Sequence, residues 1–296
     1  MKNKFKIVYY LIKTVIQIFT FGNLKTQRYK NKKYHHNKNC IILANGPSAT
    51  LFLKSYQQTK KENDFIICMN DFALSEYYIK LKPSVYFLAD PAYFYQYNSK
   101  EQEILIGKLY ENIITNTNWP MTIRIPWLHF KNKTIHHILN KNTNIRLEFF
   151  NSVDTYYPSR INYYLYDWGL CKPLGQNILI SVILYAIIQD FKLINLYGAD
   201  HTWLNNICVN KNQEVCLYND NFLTKQVSKN EKQYTPWLKA EGGTFSLPEI
   251  LTILNNVFKG YHELQKYASS KNSIIINNSN NTLIDAFNIP NNENTI

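Results

Sequence analysis

Four places in this chain join an apolar run to polar groups able to do chemistry. Cys40-Ile41-Ile42-Leu43-Ala44 runs into Asn45-Gly46-Pro47-Ser48, and Phe65-Ile66-Ile67-Cys68-Met69 into Asn70-Asp71. Val85-Tyr86-Phe87-Leu88 runs into Ala89-Asp90-Pro91, and Leu193-Ile194-Asn195-Leu196-Tyr197 into Gly198-Ala199-Asp200-His201. An apolar run ending in a Gly-Pro turn reads as a buried parallel strand leading to a helix N-terminus, where backbone N–H groups meet a phosphate-bearing ligand. Asn45 and Asn70 add amides that both donate and accept, as a ribose or base edge requires; Asn70 also suits a helix N-cap. Asp200 is placed either to orient a substrate or to close its strand end. His201 is the local candidate for a general base, because an ordinary imidazole pKa of about 6.5 suits proton transfer at neutral pH. The competing reading of His201 is a hydrogen-bonded spectator beside a strand.

These groups need a scaffold, and 296 residues can bury a full core. Strand-helix alternation from Cys40 to about Asp200 predicts an α/β fold, a Rossmann-like open parallel sheet with helices on both faces. Met121-Thr122-Ile123-Arg124-Ile125-Pro126 reads as a further strand, within an otherwise less regular stretch from Ser99 to Arg146. Gly175 to Ile188 is apolar nearly all round and predicts a buried helix; Gln176, Ser181 and the prompt return to a strand at Leu193 favour this over a membrane span. From Thr202 to Phe245 the pattern gives way to Asn, Lys, Gln and Gly with spaced Trp203, Tyr218, Phe222, Tyr234 and Trp237, expected to be a lid over a ligand. Leu247 to Ala268 predicts a helix with apolar spacing at Leu251, Leu254, Val257, Phe258, Tyr261 and Leu264. A last strand, a short helix and a polar tail from Pro290 to Ile296 should follow. The expected organisation is a basic and apolar N-terminal helical segment (1–38), a nucleotide-binding Rossmann-like domain (39–201), a lid and acceptor region (202–246), and a C-terminal part completing the α/β domain (247–296).

The ordered set of strand ends resembles the bacterial sialyltransferases of glycosyltransferase family 42 and related surface-polysaccharide enzymes. The resemblance rests on Asn45-Gly46-Pro47-Ser48, on Asn70-Asp71-Phe72 with Tyr77-Tyr78, on Asp90-Pro91, and on the helix after Gly175 and the strand ending at Asp200. The tail Ile274-Ile275-Ile276-Asn277-Asn278 before Leu283-Ile284-Asp285 continues it, so it spans roughly residues 39–290. It implies a CMP-sugar site lined by Asn45, Gly46, Pro47, Ser48 and Asn70, working without a metal or separate cofactor. By the same resemblance Lys172, Gln176 and Asn177 contact donor sugar or acceptor, although capping of the buried helix also explains them. Tyr218 and Tyr234 on the lid are then candidates to donate hydroxyls to phosphate. Two departures stand out. Asp90 occupies the family's Asn position, where a carboxylate can hold a sugar hydroxyl or the ribose by accepting, but cannot donate and repels a nearby phosphate. The family's base is a His after the lid, yet no His occurs between 202 and 261, leaving His262 as the alternative to His201.

Composition bounds the partners. The formal net charge is +12, but ten of the 33 Lys and Arg fall in residues 1–38, which hold no Asp or Glu. The remaining 23 basic and 21 acidic residues nearly balance, which argues against a nucleic-acid surface on the body. Phe5 to Phe21 is mostly apolar, interrupted by Lys6 and Lys13, and is followed by the basic stretch Lys25 to Lys38. That pattern predicts an anchor on an anionic membrane surface, with a spanning helix and a helix docked on the body as competing readings. No small-residue cleavage site follows Phe21, and the five cysteines form no Cys-x-x-Cys pair. The expected location is cytoplasmic, peripheral on the inner face of the membrane. No Asp-x-Asp or phosphate-binding Gly-rich loop with a Lys-Ser/Thr ending occurs. The leading expectation is transfer of a sugar, of sialic-acid type in the resembled family, from a nucleotide-activated donor to a lipooligosaccharide or other surface glycan. A nucleotide-dependent phosphotransferase or pyrophosphokinase, and a non-catalytic envelope-assembly binding protein, are the alternatives. Homo-oligomerisation is compatible with each.

Overall fold

A computed structural model describes residues 2–24, 38–59, 61, 63–94, 97, 99–157, 159–218, 234–239 and 242–290. Its centre is a seven-stranded sheet of β1 (Asn39–Leu43), β2 (Asp64–Met69), β3 (Val85–Phe87), β4 (Met121–Pro126), β5 (Ile145–Phe150), β8 (Leu193–Tyr197) and β12 (Ile274–Asn277). The spatial order is β12-β8-β1-β2-β3-β4-β5, and every pairing is parallel. The chain therefore starts mid-sheet, builds outward to β5, and then returns to the other side of β1 to lay down β8 and β12. The order reverses between β1 and β8, and such a switch point leaves a crevice at the carboxyl ends of the strands.

Side-chain alternation along the strands divides the apolar residues between two cores. Cys40, Ile42, Phe65, Ile67 and Phe87 face α7 (Ile178–Ile188) and the last helix, α8 (Leu247–Ser270). Ile41, Leu43, Ile66, Cys68 and Tyr86 face α2 (Ala49–Thr59) and α4 (Lys100–Asn116). Because both faces are covered, the central strands are continuous apolar runs, as the sequence suggested. Residues Leu179 to Ile188 of α7 are all buried. The helix α3 (Tyr77–Leu81) and α5 (Lys133–Leu139) complete the β2–β5 side.

Glycines set the spacing of α7 and α8. A Cβ on Gly260 would lie 2.6 Å from Leu174 O and 2.9 Å from Ile180 Cδ1. One on Gly175 would lie 2.4 Å from Ile180 Cδ1 and 3.0 Å from Val257 Cα. The helix Arg160–Asp167, α6, is tied to α8 through polar groups, with the Tyr166 hydroxyl and Asn162 Nδ2 both donating to the buried Glu263 carboxylate.

Three expectations need correction. The irregular stretch before Arg146 ends in a full edge strand, β5, whose Glu148 pairs at 2.8 Å with the buried Arg124 of β4. That ion pair satisfies the charge of Arg124 within an otherwise apolar strand. No short helix forms around Leu283-Ile284-Asp285; the chain instead folds back so that Asn277 N donates to Asn288 O at 2.7 Å. On α8, Leu251 is exposed, whereas Ile250 is fully buried.

The N-terminal helix, α1 (Lys2–Phe21), docks on the body with one face. Tyr10 stacks with Tyr156 and Tyr157, Gln17 Nε2 donates to the Tyr156 hydroxyl at 2.9 Å, and Thr14 and Ile18 are buried. No helix among the described residues is long and apolar enough to cross a membrane. The basic stretch from Lys25 to Asn37 lies outside the described residues.

Gly260→Ala is expected to destabilise the fold by about 1–3 kcal/mol, because the new methyl meets backbone and a packed isoleucine rather than a flexible side-chain tip. Urea unfolding of the variant beside wild type measures this; an unchanged midpoint would mean that α7 and α8 separate freely.

Candidate functional site

The switch-point crevice is a cavity of about 330 Å³ lined by the ends of several elements. The end of β1 supplies Asn45, Gly46 and Pro47, the end of β2 Asn70 and Asp71, and the end of β3 Asp90 and Tyr93. The end of β8 supplies Asp200, His201 and Trp203, and the start of α7 supplies Asn177 and Ile178. Gln102 and Leu105 of α4 complete one wall, and Asn206 another.

The β1 turn is held by the end of β8. Gly46 N donates to Gly198 O at 2.8 Å, and Ser48 N donates to Asp200 Oδ2 at 3.2 Å. Any Cβ on Gly46 would fall 1.9 Å from Asp200 Oδ2 and 2.4 Å from Gly198 O, so only glycine fits. Gly198 turns at φ +71°, a left-handed conformation that favours glycine, and its own missing Cβ leaves room for Ala44 O. In this turn Asn45 Oδ1 and Ser48 Oγ are buried without a hydrogen-bond partner among the described residues. A buried acceptor left unpaired in a cavity wall is a place for a ligand donor.

Asn70 stands at φ 53°, a left-handed conformation that asparagine tolerates better than most residues. The buried Tyr86 hydroxyl fixes it, donating to Asn70 O and accepting from Ala73 N at 2.8 Å. The same turn puts Asp71 into the cavity, where its carboxylate accepts from the Tyr93 hydroxyl at 2.9 Å. Burial pushes the Asp71 carboxyl above the usual range; the Tyr93 hydrogen bond works against that and the nearby Asp90 charge with it. Asp90 Oδ1 accepts from Ala92 N at 2.9 Å and so starts the turn Pro91–Phe94. Asn177 caps α7, its Oδ1 accepting from Leu179 N at 2.8 Å, so capping and cavity lining coincide in one residue.

His201 lines the cavity but lacks the surroundings of a base tuned to neutral pH. Its ring is buried, Nε2 is bonded to the Tyr261 hydroxyl, and the Trp203 ring lies 4.1 Å away between centroids. Burial lowers its pKa from 6.5 to about 3, so it is neutral and weakly basic under ordinary conditions. Its φ of 54° shows a backbone turn held for position. An imidazole held this way takes up a proton less readily than the ordinary one that the sequence suggested as a general base.

Several expected site residues lie elsewhere. Lys172, in β7 (Lys172–Pro173), is buried in an ion pair with Asp154 of β6 (Asp154–Thr155) and also donates to Gly175 O at 2.9 Å, so it supports the α7 turn from behind. Gln176 is exposed and does not line the cavity, and neither does Ser48. His262 sits on an outer face of α8, with Nε2 3.1 Å from Asp285 Oδ1. The region expected to be a lid carries a small antiparallel sheet of β9 (Ile207–Val209), β10 (Val215–Leu217) and β11 (Thr235–Pro236), and residues 219–233 fall outside the described part. Tyr218 and Tyr234 lie against each other there, centroids 5.9 Å apart, and neither reaches the cavity wall. Tyr218 N donates to Asn206 O, which links this sheet to the wall.

The residues missed were Asp71, Tyr93, Trp203 and the supporting Tyr261. Asp71 was legible as the residue after Asn70 at a strand end. Tyr93 follows closely on the Asp90-Pro91 strand end but carried no signal of its own, and Tyr261 comes from α8, distant in sequence. Among the described residues the cavity wall contains three aspartates and no Lys or Arg, and no cluster of three or more His, Cys, Asp or Glu is arranged to hold a metal ion.

Fold and site together define a Rossmann-like α/β protein with an acid-lined cavity at the switch point of its sheet. No family model matches the chain, and no curated protein matches it. Among solved structures it is similar to the MAf glycosyltransferase from Magnetospirillum magneticum AMB-1, at 11% identity and a TM-score of 0.45, over 92% of this chain and 38% of that one.

The buried neutral His201 makes a pH prediction. Unfolding frees an imidazole of pKa about 6.5, whereas the folded value is about 3, so acid favours the unfolded chain. Stability should therefore fall as pH drops below about 6.5, with the loss complete near pH 3. His201→Gln, which cannot titrate, should lose less stability than wild type between pH 7 and pH 4 in paired urea melts. Equal losses would show that His201 does not stay neutral in the folded protein.

Proposed function

We propose that the chain is a glycosyltransferase that moves a sugar from a nucleotide-activated donor to a hydroxyl of a glycan or glycolipid, using the switch-point cavity as its active site. The observation that carries this reading is the β1 turn, whose backbone is clamped by Asp200 while Asn45 Oδ1 is left buried and unpaired at the cavity wall. A nucleoside amino or hydroxyl group supplies the missing donor. Asn70 offers a second amide from the neighbouring strand, and the N-terminal end of α7 offers the positive end of its dipole to a departing phosphate.

In the transfer step the acceptor oxygen bonds to the anomeric carbon as the bond from that carbon to the phosphate oxygen breaks. The electron pair leaves with the nucleotide, and the acceptor proton passes to a base. Asp71 fits that role: it lines the cavity, its carboxyl is raised by burial, and Tyr93 holds it in place. His201 then serves as a neutral wall that seats Trp203 and Tyr261.

A donor of the CMP-sugar type is supported by the strand-end resemblance. Asp71, Asp90 and Asp200 in the wall repel phosphate charge. The same argument counts against ATP-dependent phosphoryl transfer, which positions several phosphates with Lys and bound metal. A sialic-acid-type sugar and a lipooligosaccharide acceptor are the finer form of this proposal, supported by the strand-end resemblance.

Thermal melts with nucleotides test the reading, since a ligand that binds only the folded state raises the midpoint. CMP is expected to stabilise more than UMP, GDP or ATP, and Asn45→Ala to weaken CMP binding by about 1–3 kcal/mol, the usual range for a lost buried polar partner. Stabilisation by ATP alone would replace the proposal with a phosphotransferase.

Asp71→Asn should lower kcat roughly 10²–10⁴-fold, the usual range for loss of a general base, with nucleotide affinity nearly kept. Full turnover in that variant would move the base to another residue, with Asp90→Asn the next to assay.

A further inference from the structure

The helix α1 shows solvent a second apolar face, opposite the one docked on the body. Phe5, Val8, Tyr9, Ile12, Ile16 and Phe19 recur at spacings of three and four residues and so form one stripe. All are exposed, Phe5 to 75%, Ile16 to 59% and Phe19 to 69%. The docked face carries its own partners, with Tyr10 on Tyr156 and Tyr157, Gln17 on Tyr156, and Ile18 in the core. The helix is therefore already held in place by Tyr10, Gln17 and Ile18, and the outer stripe is left facing solvent. A contiguous apolar stripe on a surface marks something that covers it.

We propose that this stripe is a bilayer-docking face, with an anionic phospholipid surface as its occupant. Charge decides between a bilayer and a second copy of the chain. Residues 1–38 hold ten Lys or Arg and no acidic residue. Pairing two copies through α1 brings those like charges together, whereas an anionic headgroup layer neutralises them while the stripe enters the acyl boundary. Lys6 is exposed beside the stripe, and Lys13 sits over the Tyr156 ring at 4.0 Å, at the border between docked and exposed faces.

The end of α1 is tied to the sheet. Asn23, just after the helix, donates from its N–H to Asn151 Oδ1 at 2.8 Å and accepts from Asn151 Nδ2. Asn151 directly follows the edge strand β5, so the helix that carries the stripe is held on the body at both its middle and its end. The docking itself does not depend on the glycosyl-transfer reading and is measured without substrate.

The test is co-sedimentation of the full chain with vesicles of phosphatidylcholine alone and of phosphatidylcholine mixed equally with phosphatidylglycerol. Wild type is expected to pellet with the mixed vesicles and not with the neutral ones, and high salt should weaken the association. The double variant Ile12→Glu with Ile16→Glu changes exposed positions only, so its melting temperature should match wild type while its partitioning falls at least tenfold. Lys6→Glu should give a smaller loss that high salt abolishes. Failure of wild type to bind the mixed vesicles, or equal binding by the double variant, overturns the proposal. So does a wild-type dimer in sedimentation velocity that becomes monomeric in the double variant, since the stripe would then cover a second copy.

Discussion

The contact between Gly46 and Asp200 is the constraint on which the candidate site depends. Two strands that are neighbours in space but about 150 residues apart in sequence end side by side, and the turn after β1 has to pass the carboxylate that follows β8. Only a residue without a Cβ passes at that distance. The carboxylate then accepts from Ser48 N, and the Gly198 carbonyl accepts from Gly46 N, so the turn is fixed by both backbone and side chain of the second strand. Asn45 is thereby held with an unpaired acceptor, a geometry that an isolated flexible turn would relax away.

Aromatic hydroxyls carry out much of the remaining positioning. Tyr86 holds the left-handed Asn70 turn, Tyr93 holds Asp71, and Tyr261 holds His201. Each brings a large apolar ring and one polar tip, so it fills the core and satisfies a turn in one residue. Tyr261 also makes α8 part of the site without lining it: its hydroxyl bonds His201, and Phe258 of the same helix sets its ring 6.5 Å from the imidazole between centroids. The 3₁₀ turn after His201, Thr202–Asn206, leads into the small antiparallel sheet, whose strand β10 packs through Val215 against Ile250 and Leu254 of α8.

Burial, rather than residue type, sets the proton chemistry of the cavity. A histidine beside a strand end looks like a base when its ordinary pKa is assumed, but an enclosed ring bonded to a tyrosine hydroxyl is held neutral far below that pKa. A carboxylate in the same crevice is moved the opposite way, because desolvation disfavours its charged form. The imidazole and the carboxyl are thus driven toward each other's ordinary ranges. An acidic wall and a basic, apolar N-terminal helix then divide the molecule's surface chemistry between the sheet's carboxyl edge and α1.

The sequence by itself determined the central strands, the buried helix α7 and the strand-end turns, because unbroken apolar runs stopped by Gly, Pro or Asn leave few other local solutions. It also determined that the cationic excess sits at one end. Strand β5 was hidden because Glu148 looks exposed until it is seen to pair with Arg124 of β4 across strands. Lys172 looked like an anion-binding residue until Asp154 was found beside it, and His262 until its outward face of α8 was known. Asn45, Asn70, Asp90, Asn177 and Asp200 gathered into one cavity only through the reversal of strand order between β1 and β8, which local sequence does not encode. The distinction is physical: periodicity reports what a segment buries, whereas pairing, desolvation and the meeting of distant strand ends exist only once the sheet has assembled.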